Sequence, residues 1–298
     1  MTWIFLTLLA YFCWSCSNIG DKIVTGRYFK DALVYLFYGF LFSPVILIFV
    51  FFTKIEAPSL HLILFSGLSA LLYLLVSIFY MKAVAVEEIS RVNVLWNMSP
   101  LFSFVIAWLF LGERLDYLES ILFIFLIIGA VLASFHAVGK RIKISRGFIF
   151  MMIACIFYAM YAVSVKYTSL DVHFSTFYLY FTLWLIPLPF LLFLSKNFRQ
   201  VFKKETLRMN GRVLLYIVVV SILARLGVLF YQYALTRGPV SLINALEGAQ
   251  TVMVFLITAI LTRFLPNILQ EEMDKRNILF KLVALLIVVT VVVILSFR

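Results

Sequence analysis

Apolar residues run through this chain in long blocks separated by short polar intervals. Ten blocks reach the roughly 20 residues that a membrane-spanning helix needs: 2–21, 32–53, 60–83, 91–111, 117–137, 147–167, 174–194, 213–235, 240–264 and 278–297. Barrel strands would be about half as long and would alternate in polarity, so the pattern predicts helices. The intervals are short, which predicts that successive helices are antiparallel neighbours.

The pattern is written twice. Phe79, Tyr80, Ala83, Ser90, Asn93 and Leu95 recur as Phe230, Tyr231, Ala234, Ser241, Asn244 and Leu246, all at an offset of 151. One shared offset across a span end, a loop and the next span start implies duplication. Five is odd, so a second copy of a five-helix unit enters the membrane from the opposite side. The expected fold is an all-α integral membrane protein with ten transmembrane helices as two inverted five-helix repeats, 1–137 and 147–298, joined by the linker 138–146.

Composition agrees. Hydrophobic residues make up 64% of the chain and charged residues 13%, against about 45–50% and about 25% in soluble domains. Residues 2–19 follow no basic region and precede no small-residue cleavage site, so they read as a retained first span. The net charge of +11 is spread between apolar runs, which favours anionic lipid headgroups over nucleic acid as a partner. Cys13, Cys16 and Cys155 lie on apolar helices, and packing accounts for them better than a disulfide or a metal site.

Lysine and arginine orient the bundle. The intervals after spans 1, 3, 5, 7 and 9 carry 19 of them and the opposite side five. The positive-inside rule places both termini outside the cell membrane and the segments 138–146 and 195–212 in the cytoplasm. The latter segment interleaves Lys196, Arg199, Lys203, Lys204, Arg208 and Arg212 with Phe198, Val201, Phe202 and Leu207. It reads either as an amphipathic helix on the membrane surface or as a solvated loop.

The segment Ser99-Pro100-Leu101-Phe102, Ala107, Leu111-Gly112-Glu113-Arg114-Leu115 and Ile128-Gly129-Ala130-Val131-Leu132 resembles the drug/metabolite transporter superfamily, EamA-type branch. Trp14 and Lys22 match Tyr158 and Lys166 at an offset of 144, which fits the same resemblance. In the second copy the Gly-Glu position reads Arg263-Phe264, followed by a polar insert, Gln270 to Arg276. The resemblance implies a ten-helix inverted-repeat carrier of small metabolites with no ATPase of its own.

Residue by residue, Pro100, Gly112 and Glu113 read as a structural motif. Pro100 frees backbone carbonyls mid-span, and Glu113 is placed to reach amide donors of the following helix. Arg225 and Glu247 are the charges inside spans, at depths differing by only about 4–5 Å on adjacent helices. Burying either alone is costly, so they are expected to pair or to face a cavity. The functional reading gives Arg225 a substrate carboxylate and Glu247 a proton exchanged with a coupling gradient; the structural reading is a fixed brace.

Asn93 and Asn244 read first as interhelical hydrogen-bond partners. Asn97 and Gln250, with the rings of Trp14, Trp96, Tyr158 and Tyr161, are cavity candidates, although packing explains many aromatics in such a chain. Lys22 and Lys166, at span ends, are candidates for a gate or cavity mouth, or snorkel to headgroups. His61, His136 and His173 lie near span ends without metal-ligand spacing.

The expected function is secondary transport of small organic metabolites, amino acids or similar, across the plasma membrane by alternating access. The partners are the bilayer, the small-molecule substrate and a proton as candidate coupling ion, with no cofactor, no metal, no nucleic acid and no obligate protein partner. The alternatives are a flippase for lipid-linked headgroups and, from another class, a membrane enzyme. The enzyme reading lacks a catalytic constellation in the spans.

Overall fold

The computed structural model describes residues 2–27, 29, 31–44, 47, 55–86, 92, 95–133, 145–207, 209–262 and 275–297. The described residues are helical, with no strand. In chain order the α-helices are α1 (Thr2–Arg27), α2 (Ala32–Leu41), α3 (Leu60–Val86), α4 (Ser99–Leu111), α5 (Tyr117–Ala133), α6 (Arg146–Thr168), α7 (Phe174–Trp184), α8 (Lys196–Thr206), α9 (Gly211–Leu235), α10 (Val240–Ala245), α11 (Gly248–Thr262) and α12 (Lys275–Ser296). Among the described residues, six segments are long and apolar enough to cross a membrane: Thr2–Asp21, Leu60–Val86, Arg146–Thr168, Phe174–Leu194, Gly211–Leu235 and Val240–Thr258. Four shorter apolar helices, Ala32–Leu41, Ser99–Leu111, Tyr117–Leu132 and Leu282–Ser296, overlap the remaining predicted runs.

Local chemistry sets the helix starts. Asp31, Ser145, Ser195 and Asn210 each accept a hydrogen bond from an amide two or three residues ahead, which satisfies a donor that the first turn cannot pair internally. At α5, Asp116 accepts from the Glu119 amide at 2.8 Å while Glu119 accepts from the Asp116 amide at 3.0 Å, a reciprocal capping box. Gly112 ends α4 at φ 63°, a left-handed conformation that a side chain would strain.

Three predicted spans are interrupted. The 91–111 run turns at Asn97–Met98, the residues just before α4. Pro100, in the first turn of α4, has no N–H to carry the preceding helix through. The 240–264 run turns at Leu246–Glu247, between α10 and α11. Both turns are tightened by bonds of 3₁₀ type, from the Met98 amide to the Leu95 carbonyl and from the Glu247 amide to the Asn244 carbonyl, each 3.1 Å. The 174–194 run leaves the α-helix after Trp184 and continues as a 3₁₀ helix, Leu188–Leu194, because Pro187 and Pro189 remove two donors in succession. The second half of the 32–53 run lies mostly outside the described residues, as do Asn93, His136, most of the 138–146 linker and the 263–274 insert.

Within segment 195–212, Lys196–Thr206 forms a helix, α8. Its apolar face packs on protein: Phe37 of α2 meets Phe193, Phe198 and Phe202 with ring centroids 5.2, 6.3 and 5.2 Å away. Lys196, Arg199, Lys203 and Lys204 remain exposed.

Helix packing crosses between the two halves. α1 lies along α9, α3 along α6, and α5 along α12; α4 meets α6 and α10, and α1 meets α11. Where these helices converge the interior is aromatic and polar. Tyr11, Tyr158, Tyr161 and Tyr231 are all buried there, with Tyr231 stacked on Tyr158 and Tyr161 at 5.7 and 6.2 Å.

Candidate functional site

The two mid-span interruptions meet. Ser99 is the first residue of α4 and Glu247 the last before α11, and the Ser99 hydroxyl donates to Glu247 Oε2 at 2.7 Å. Both side chains are buried. The N-termini of α4 and α11 therefore converge on one carboxylate. Each carries the positive end of a helix dipole, which favours negative charge. A second bridge runs beside the first. Asn244 Nδ2 donates to Ser103 Oγ at 2.6 Å, and Asn244 Oδ1 accepts from the Tyr231 hydroxyl at 2.6 Å. Ser103 Oγ in turn donates to the Ser99 carbonyl at 2.9 Å. Asn97 Nδ2 donates to the Ala130 carbonyl of α5 at 2.9 Å. Tyr11 ties α1 in, donating to the Ile243 carbonyl at 2.8 Å.

Close backbone approach makes this junction possible. A Cβ on Gly248 would stand 2.9 Å from the Ala130 Cα, inside contact distance of main-chain atoms that cannot move aside.

The structure brings most of the candidate residues together. Trp14 packs on Tyr231 at 5.2 Å and donates from Nε1 to the Ala224 carbonyl at 3.1 Å. Trp96 packs on Tyr158 at 5.3 Å. Tyr161 accepts from Gln232 Nε2 at 2.9 Å. Gln250 is half-buried, and its carbonyl accepts from Ser15 at 3.2 Å.

Arg225 stands apart from Glu247. Among the described residues no ion pair joins them. Glu247 is held by the Ser99 hydroxyl instead, so its charge does not require the guanidinium. The Arg225 guanidinium lies over the rings of Phe40 and Tyr73, with Cζ 4.6 and 5.2 Å from their centroids. Equal depth in sequence does not fix azimuth: α9 turns Arg225 toward α2 and α3, whereas Glu247 faces α4.

Glu113 also binds elsewhere than predicted. Asp116 serves the following helix, α5, while Glu113 spans the bundle to the start of α10. Its Oε2 accepts from the Val240 amide at 2.8 Å and its Oε1 from the Ser241 amide at 3.0 Å and the Ser241 hydroxyl at 2.5 Å. Close by, Lys166 Nζ donates to the Gly238 carbonyl. Glu113, Lys166 and Arg237 line a cavity of about 440 Å³ with Phe110, Leu111 and Tyr167. Lys22 lies on α1, its side chain outside the described residues.

Ser99, Ser103 and Tyr231 join the site without having been singled out as site residues. The available signal was a pair of hydroxyls four residues apart, one turn of a helix, in an otherwise apolar run.

Comparison with known proteins gives a similar fold and a family match over the first part of the chain. The model of the EamA-like transporter family matches residues 1–135. A solved structure titled only "Crystal structure of protein" has a similar fold, with a TM-score of 0.70 and 17% sequence identity over 97% of this chain and 96% of that one. No curated protein matches.

Proposed function

Because residues 1–135 match the EamA-like transporter family, we propose that this multi-pass membrane protein is a secondary transporter of small organic metabolites working by alternating access. The observation that carries this reading is the meeting of two interrupted helices at Ser99 and Glu247. Discontinuous helices whose ends converge at mid-membrane on polar groups are how carriers of this kind build a site without exposing unpaired backbone to lipid.

Ten spans in two inverted halves, 1–137 and 147–298, are part of the proposal. The packing supports it, because exchanging the halves maps observed contacts onto one another. α1 on α9 becomes α6 on α3, and α4 on α6 becomes α11 on α1. The two interruptions fall within two residues of corresponding places in the fourth and ninth runs. In this reading substrate is handled by Trp14, Trp96, Asn97, Tyr158, Tyr161, Asn244, Glu247 and Gln250. Lys166 and Glu113 close the side bearing the 440 Å³ cavity, and Lys22 is the counterpart of Lys166 on the other side. Glu247 is the group proposed to exchange a proton with the coupling gradient. Both termini lie outside a plasma membrane in this reading.

The test is transport by the purified protein in liposomes, offered a panel of amino acids and other small metabolites with and without a proton gradient. Accumulation of one class supports the carrier. Reaction of cysteines placed at Ser145 and Thr236 with an impermeant thiol reagent from the same side of the membrane would refute the three spans proposed between them, and reaction of the Ser145 cysteine from outside would refute the orientation.

A further inference from the structure

Arg225 is 6% exposed, and among the described residues its Nε and Nη1 have no hydrogen-bond partner. A charged side chain deep in a spanning helix is costly, and is retained where it meets an opposite charge or a polar path. Among the described residues no carboxylate lies within ion-pair distance of it. Asp21, within its electrostatic reach, accepts from the Tyr35 hydroxyl. One turn before Arg225 on the same helix, the Ser221 hydroxyl is likewise buried and without a hydrogen-bond partner. It faces Gly39 of α2, where a Cβ would be only 3.6 Å from Ser221 Oγ. A guanidinium and a hydroxyl four residues apart lie on one helix face.

From this geometry we infer that Arg225 and Ser221 form a carboxylate-binding site between α2, α3 and α9, which receives the anionic end of the transported molecule. The ligand is an organic monocarboxylate. A dianion would add a further negative charge in low dielectric, where Asp21 already lies within reach of the guanidinium. The planar guanidinium fork matches carboxylate geometry. Phe40 and Tyr73 hold the guanidinium by their ring faces, which fixes its position for a ligand. Tyr73 also leads on to the central cluster, packing on Tyr161 at 5.3 Å. Naming the anion as cargo rests on the transporter reading; its binding does not.

The experiment is equilibrium binding to the full-length protein in neutral phosphatidylcholine nanodiscs, followed by thermal unfolding and intrinsic fluorescence. The probes are benzoate and 3-phenylpropionate, their amides and their amines, at fixed chloride. The carboxylates should raise the unfolding temperature and the amides and amines should not. Arg225→Lys should weaken carboxylate binding roughly tenfold or more, the scale of a charge-assisted hydrogen bond, and Ser221→Ala should weaken it a few-fold. Equal binding of the amides, or unchanged affinity in a folded Arg225→Lys or Arg225→Met protein, overturns the site. So does the absence of any carboxylate effect on the wild type, which would leave Arg225 a structural arginine and needs no variant to detect. Chloride alone producing the full stabilisation, or phosphatidylglycerol discs abolishing the carboxylate effect, assigns the guanidinium to halide or lipid phosphate and also overturns it. Transport of neutral metabolites without carboxylate binding removes this inference and keeps the carrier; carboxylate binding without transport of any solute does the reverse.

Discussion

Glu113, in the turn after α4, accepts hydrogen bonds from both the amide and the hydroxyl of Ser241, at 3.0 and 2.5 Å. The partners are 128 residues apart and fasten the first half of the chain to the second. Glu113→Gln keeps one acceptor and turns an NH₂ group toward donors. The expected cost is about 1–3 kcal/mol for a group left unsatisfied. Thermal unfolding in detergent checks this, with Ser241→Ala as the milder comparison.

Glu247 and Ser99 predict a separation of fold from coupling. Glu247→Gln retains an oxygen for the Ser99 hydroxyl but cannot release a proton. The variant should fold and bind substrate, yet lose accumulation driven by a proton gradient. Uptake with the same dependence on the gradient as wild type would end the coupling role of Glu247.

Asn244→Ala removes both links of the second bridge, to Tyr231 and Ser103. It should cost about 1–3 kcal/mol, because the buried Tyr231 hydroxyl loses its acceptor, whereas Ser103→Ala removes one of these links together with the bond to the Ser99 carbonyl. A double-mutant cycle between the two positions should show clear coupling, since they share a bond.

Lys166 holds the Gly238 carbonyl at the rim of the 440 Å³ cavity. In a background without native cysteines, Lys166→Ala should speed modification of an Ala162→Cys probe by an impermeant thiol reagent added on that side. An unchanged rate would remove Lys166 from the gate.

Gly248 and Gly112 are constrained for different reasons. Gly248→Ala drives a Cβ toward the Ala130 backbone and should cost about 1–3 kcal/mol as overpacking. Gly112→Ala meets open space and should cost about 1–2 kcal/mol from its positive φ alone. Gly112→Asn should recover part of that loss, whereas Gly248→Asn should not; refolding yields and unfolding temperatures separate the cases.

The apolar runs and the Gly112 turn are local properties of the chain, and each could be read one segment at a time. Hydrocarbon demands about 20 apolar residues in succession, and a turn demands its glycine wherever it is placed. Pro100 likewise marked a missing backbone bond inside the 91–111 run, because its missing N–H is a fact of the residue. Partner choice was not local. Glu113 reaches Ser241 and not the next helix, and Arg225 turns to Phe40 and Tyr73 and not to Glu247. Those outcomes depend on the azimuth and packing of helices far apart in sequence, where a rotation of a fraction of a turn sends a side chain to a different neighbour. The chain by itself determined that polar groups are buried; the assembled bundle decided which of them meet.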